Sequence, residues 1–193
     1  IVIGPGLGQG PWGQQMLQQV LNWKGPVVAD ADALNLLADP ACPLGQTGLP
    51  PHWLATPHPG EAARLLQCAV AELEQDRFAA MERLLAWSPA TWLLKGAGTL
   101  IAAPGELPGI VAEGNPGMAS GGMGDVLSGV LGSLLGQGMS PLSAAMAGAT
   151  LHGSAADLAA RLQGQRSLLA SDLCAALPQL LATGAASEAG LYE

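Results

Sequence analysis

NPGMASGGMGDVLSGVLGSLL, from Asn115 to Leu135, runs from a glycine-rich turn straight into an apolar helix. Gly121, Gly122 and Gly124 leave several backbone N–H groups unpaired and aimed at one spot, and the helix dipole adds positive potential there. The combination is an anion hole. Asp125 follows in the first helical turn, where the dipole keeps a carboxylate ionised and available as a base beside a bound phosphoryl group. Such a pair suits phosphoryl transfer to a hydroxyl: the carboxylate takes the hydroxyl proton while the amides hold charge that spreads over the phosphoryl oxygens. The plainer reading of Asp125 is a helix cap, but the glycine run ahead of it is more than a cap requires. Two familiar phosphate motifs are missing: GPGLGQG at Gly4 lacks the third glycine of GxGxxG, and nowhere does GK[ST] close a P-loop.

Upstream of this segment, β-rich apolar runs alternate with helical patterns, which predicts a mostly parallel sheet flanked by helices, an α/β domain. Strands are expected at Ile1–Ile3, Pro26–Ala31, Trp53–Pro57 and Thr91–Gly96, with a hairpin across residues 99–114. Helices are expected after GPGLG through Leu21, around Leu34 to Leu37, and as a pair after His58, the second from about Glu72 to Trp87. From Gly124 onward the chain reads as helical, at Asp125–Leu135, Pro141–Leu162 and Ser171–Leu181, with a small, polar tail after Thr183 that is expected to fray.

Ligands of open α/β sheets bind outside the carboxyl ends of the strands, and the remaining chemistry-bearing residues fall at such ends. Gly4, Gly6 and Gly8 allow close backbone approach or a plain tight turn. Lys95, Gly96, Ala97, Gly98 and Thr99 form a loop able to lie along a nucleotide, or an ordinary hairpin with an exposed lysine. His58 stands between two prolines, rigid enough to favour ligand contact. Asp30 and Asp32 could approach Mg²⁺ through water, although an N-cap explains Asp32 equally well. His152 lies on a small-residue helical face and reads as a packing or hydrogen-bonding residue.

Composition narrows the function classes. With 193 residues one domain is expected, and 49% hydrophobic residues with few aromatics imply a core of Ala, Leu, Val and Gly. A formal charge of −8 repels polyanions, so nucleic acid is not expected as a partner. Cys42, Cys68 and Cys174 show no metal or disulfide spacing, no run is long enough to span a membrane, and a reducing cytoplasm is expected. The chain opens with Ile on a strand, so it is read as a fragment of a longer polypeptide.

IGPGLG, VVADADALNLL, TPHPGE, LLKGAGT, NPGMASGGMGDVLSG, LHGSAAD and LLASDL follow one another along nearly the whole chain. In this order they resemble the carbohydrate-kinase-like family of ADP- or ATP-dependent NAD(P)H-hydrate dehydratases. The resemblance implies a ribokinase-like fold for residues 1–193, lacking the βαβ segment that precedes IGPGLG in that family. It implies phosphorylation of the S form of hydrated NADH or NADPH by ADP, followed by loss of phosphate, with Asp125 as the base. It places Gly6, His58, Asn115 and Asp125 on the hydrated nucleotide. Lys95, Gly96, Ala97, Gly98, Thr99, Gly121, Gly122 and Gly124 fall on the ADP side, and Mg²⁺ arrives with the nucleotide rather than in a protein metal site. A homo-oligomer, and fusion to an N-terminal epimerase domain for the R form, are further implications. The alternatives are a vitamin-precursor kinase of the same superfamily and a non-catalytic nucleotide-binding module.

Overall fold

The computed structural model describes residues 1–189, with side chains placed through residue 182. Among the described residues the sheet has six strands laid side by side in chain order. They are β1 Val2–Ile3, β2 Val27–Ala29, β3 Trp53–Ala55, β4 Thr91–Leu94, β5 Thr99–Ala102 and β6 Gly109–Val111. β1 to β4 pair in parallel, while β4, β5 and β6 pair antiparallel. The helices are α1 Pro11–Leu21, α2 Ala31–Ala38, α3 Pro59–Leu65, α4 Val70–Gln75, α5 Arg77–Trp87, α6 Met123–Gly136, α7 Pro141–Gln163 and α8 Ala170–Ala189.

This order has a geometric consequence. Parallel crossovers are right-handed almost without exception, so four strands added successively in one direction put their connecting helices on one face. The opposite face must then be covered by something else. Strand side chains divide accordingly, with period 2. Val27, Ala29, Trp53, Ala55, Trp92, Leu94, Leu100 and Ala102 pack with α1 to α5. Val28, Leu54, Leu93 and Ile101 pack with Leu127 and Leu131 of α6 and Ala145 and Ala149 of α7. Both faces are apolar, which is why these strands read as continuous hydrophobic runs. Where α6, α7 and α8 meet, a third cluster is built largely from alanines.

Two expectations about elements change. The single helix expected over residues 72–87 is divided at Asp76, whose backbone is non-helical (φ −144, ψ 89) and whose Oδ1 accepts the Ala79 N–H at 2.9 Å. An Asp that caps a new helix competes with continuing the old one. The last helix continues past Leu181 to Ala189, and the expected fraying after Thr183 concerns side chains outside the described residues. Among the described residues no helix is long and apolar enough to cross a membrane.

Candidate active site

Because β1 to β4 are parallel, the segments that leave their carboxyl ends emerge along one edge. α6 starts at the same edge from the other face. GPGLG, Asp30, His58, Lys95 and GGMGD therefore converge, although up to 120 residues of chain separate them.

At its centre is a chain of charged side chains. Lys95 Nζ, on the residue after β4, lies 2.8 Å from Asp30 Oδ1 and 3.9 Å from Glu61 Oε2. Asp30 Oδ2 accepts the Ser128 hydroxyl of α6 at 2.8 Å. The lysine side chain is only 21% exposed, so it is not the surface lysine that a plain hairpin would carry. Arg77 at the start of α5 shapes the loop that follows. Its guanidinium donates to four carbonyls, those of Leu94, Lys95, Ala97 and Gly98, at 2.8 to 3.2 Å. Thr99 Oγ1 closes the turn on the Gly96 carbonyl.

His58 is the N-cap of α3. Its Nδ1 accepts the N–H groups of Gly60 and Glu61 at 2.9 and 3.3 Å, and Glu61 Oε2 accepts the His58 N–H at 2.8 Å, a reciprocal capping box. With Nδ1 accepting, the proton of a neutral ring belongs on Nε2, which faces Glu61 Oε1 at 3.4 Å. The ring is half exposed, so what it offers a ligand is chiefly its face.

The glycine turn ahead of α6 has the geometry that its composition implies. Gly122, in the left-handed region (φ 85), is the N-cap and has no side chain with which to cap. The amides of Met123, Gly124 and Asp125 bond to no described group, and Asp125, the third helical residue, is exposed with an unpartnered carboxylate among the described residues. Asp125 therefore does not cap the helix. The arrangement can accept an anion at the amides and a proton at Asp125.

Other expected residues are held differently. Asp32 was a candidate N-cap, but α2 begins at Ala31 with Asp30 at the cap position. Asp32 instead binds the GPGLG turn, accepting Gly8 N–H at 2.8 Å and Gln9 Nε2 at 3.0 Å. Asp30 and Asp32 thus face different partners and form no joint cation site. Among the described residues no group of three His, Cys, Asp or Glu could hold a metal. Cβ atoms at Gly6 or Gly8 would meet nothing within 4 Å, so that turn presents open backbone to the site. Asn115 is tied down through Nδ2 to Asp157 Oδ1 at 2.9 Å and through Oδ1 to the Gly117 N–H at 3.1 Å.

His152 of α7 is 6% exposed, with Nε2 unpartnered among the described residues. Burial pushes its pKa down to about 4, the nearby Lys95 charge adds to the fall, and a hydrogen bond to the Met123 backbone opposes it. A folded pKa below the unfolded value of 6.5 means that the unfolded chain binds the proton more tightly. The contribution of neutral His152 is therefore complete above pH 6.5 and lost as pH falls toward 4. By pH 5 the loss should reach ~2 kcal/mol. Urea unfolding at pH 7 and pH 5 checks this: His152→Gln should flatten that share of the slope, and an unchanged slope would contradict the buried neutral imidazole.

The comparisons with known proteins agree with this geometry. An Enterococcus faecalis protein of the ribokinase-like superfamily superposes with TM-score 0.80 at 33% identity, covering 95% of this chain and 62% of that one. The ADP/ATP-dependent NAD(P)H-hydrate dehydratase of Bacillus subtilis, co-crystallised with ATP/Mg²⁺, gives TM-score 0.83 at 32% identity, covering 95% and 64%. The fold is thus ribokinase-like, as the sequence implied. The Escherichia coli bifunctional NAD(P)H-hydrate repair enzyme is 51% identical over 181 residues, 94% of this chain and 34% of that protein. The ADP-dependent (S)-NAD(P)H-hydrate dehydratase of Neisseria meningitidis is 45% identical over 159 residues, 81% of this chain and 54% of that protein. A model of the NAD(P)H-hydrate dehydratase family matches residues 1–179, and the chain belongs to that family. It spans about a third of the length of the bifunctional relatives.

Proposed function

We propose that this chain carries the ADP-dependent dehydration of (S)-NADHX and (S)-NADPHX to NADH and NADPH. The observation that carries the reading is the exposed carboxylate of Asp125, unpartnered among the described residues, on the helical turn whose first three amides bond to no described group. Asp125 takes the proton of the hydrate hydroxyl as the oxygen attacks the terminal phosphoryl group of ADP. AMP departs, the C–O bond then breaks with phosphate as leaving group, the adjacent ring carbon gives up a proton to solvent, and the double bond of the reduced nicotinamide is restored. The amides of Met123 to Asp125 hold the charge of the transferred group, and Gly121 and Gly122 give the turn its shape. The loop from Lys95 to Thr99 lies along the nucleotide. Gly6 and the ring face of His58 bound the hydrate, while Asn115, fixed by Asp157, supports the site's edge.

Mg²⁺ fits these residues. Lys95 balances only one of the carboxylates Asp30 and Glu61, and Asp125 adds a further negative charge, so bare ADP would meet net repulsion. Asp30 is engaged by Lys95 and Ser128, and Glu61 by His58 and Lys95, so the ion would be held by the nucleotide's own phosphates rather than by these buried acids. Bound with the nucleotide, the ion supplies charge neutralisation. The reading also includes a cytoplasmic homo-oligomer and, given the bifunctional relatives, an epimerase domain on the same polypeptide.

The full-length protein, supplied with (S)-NADHX, Mg²⁺ and ADP, should restore the near-ultraviolet absorbance of NADH with equal release of AMP and phosphate. Consumption of ATP with a phosphorylated vitamin precursor as product, and no action on NADHX, would contradict it.

A further inference from the structure

Asp30 is 2% exposed, the most deeply buried charged residue of the site. At the N-cap position of α2 an Asp ordinarily accepts a first-turn amide, yet its side chain makes no capping bond. The residue after it, Ala31, adopts φ 46, a left-handed conformation that a side chain disfavours. Two local preferences are thus forgone, and the result is that both carboxylate oxygens point across the sheet edge. Oδ1 meets Lys95 Nζ and Oδ2 meets the Ser128 hydroxyl, each at 2.8 Å.

Ser128 stands one helical turn after Gly124 on the same face of α6. A Cβ at Gly124 would lie 3.5 Å from Lys95 Nζ and 3.7 Å from Asp30 Oδ2. The ammonium is therefore fixed against the first turn of α6, beside amides that have no acceptor among the described residues. A free lysine side chain carries ~2 kcal/mol of rotamer entropy, and holding it beforehand removes that cost from ligand binding.

We propose that Asp30, backed by Ser128, is a positioning residue for the nucleotide: it holds the Lys95 ammonium where the ammonium and the first amides of α6 meet the same phosphate. The inference rests on the assignment of Lys95 to the ADP side. Electrostatics separates it from a simple counter-charge role. The charge of Asp30 itself repels phosphate, so a mere counter-charge, once removed, would leave ADP bound more tightly.

The test is titration calorimetry of ADP with Mg²⁺ on the full-length protein, with thermal melting and the KM for the hydrate measured alongside. Asp30→Asn should weaken ADP ~10-fold or more, the scale of a hydrogen bond to a charged group, and Ser128→Ala should act in the same direction by ~3-fold. The hydrate KM should hold. In a Lys95→Ala background, Asp30→Asn should no longer weaken ADP, because the weakening acts through the lysine. Unchanged or tighter ADP binding in folded Asp30→Asn, or an undiminished effect without Lys95, overturns the proposal. Should Asp30→Asn fail to fold, as one-sided removal from a buried pair can cause, folded Ser128→Ala with wild-type ADP affinity overturns it. Wild-type protein that binds no ADP would instead overturn the assignment of Lys95, and the inference with it.

Discussion

Asp125→Asn is expected to lower turnover by ~10²- to 10⁴-fold, the range that a general base contributes, with the fold intact. The substitution keeps the side chain's shape and removes only its basicity. It leaves the cap untouched, because the N-cap of α6 is Gly122 and Asp125 makes no capping bond. Its carboxylate is exposed and has no partner to abandon among the described residues. What the fold loses is a favourable charge–dipole interaction in the first turn, ~0.3–1 kcal/mol. ADP binding should persist or tighten, since a negative charge beside the phosphates is removed. Rates of NADH recovery, paired with melting curves with and without ADP, check both halves. Near-normal turnover in a stable variant would reduce Asp125 to a surface acid.

Among the described glycines, Gly4 is where an added Cβ meets backbone most closely, so Gly4→Ala should be strongly damaging. Gly4 has φ 126, and a Cβ there would sit 1.7 Å from the Asp30 carbonyl oxygen and 2.6 Å from its carbonyl carbon. Both neighbours are backbone in a sheet-to-helix junction, so neither can swing aside. Strained φ and overpacking together should cost about 3–5 kcal/mol, a fall in Tm of about 6–20 °C for a chain of this size. ADP binding should weaken as well, because the displaced backbone carries the Asp30 side chain. Gly129→Ala makes the control. It lies in α6 with nothing within 4 Å of its Cβ position, and should stabilise by up to ~1 kcal/mol. Equal melting of Gly4→Ala and wild type would show that the β1 turn is looser than its packing implies.

The sequence made the layers of this fold legible because burial on both sheet faces leaves a plain signature. Runs such as PVVADA and TWLLKG are too apolar for a half-exposed strand, and the glycine-rich punctuation marks their ends. The glycine turn ahead of α6 was legible for a similar reason, since glycines just before a helix and in its first turn have a local geometric meaning. The polar network was not. Nothing in the neighbourhood of Arg77 says that its guanidinium will bind four carbonyls of a loop about twenty residues on, and Asp157 gives no local sign that it anchors Gly114 and Asn115. These are contacts across the fold, set by strand order and helix docking rather than by spacing. Ser128 left a faint trace, one turn beyond Gly124 on the same helical face. Asp30 and Asp32 show the opposite problem: two acids one residue apart suggest a shared ligand, whereas the positive φ of Ala31 sends them to different partners.

The most direct measurement follows the oxygen atom of the hydrate. With (S)-NADHX carrying ¹⁸O in its ring hydroxyl, ADP and Mg²⁺, phosphorylation of that hydroxyl and cleavage of its C–O bond must leave the label in the released phosphate. Recovery of ¹⁸O in inorganic phosphate, one atom per NADH restored, is the predicted result. Label in water, with phosphate carrying oxygen from the solvent, would mean that ADP is hydrolysed separately from dehydration and would contradict phosphoryl transfer at Asp125.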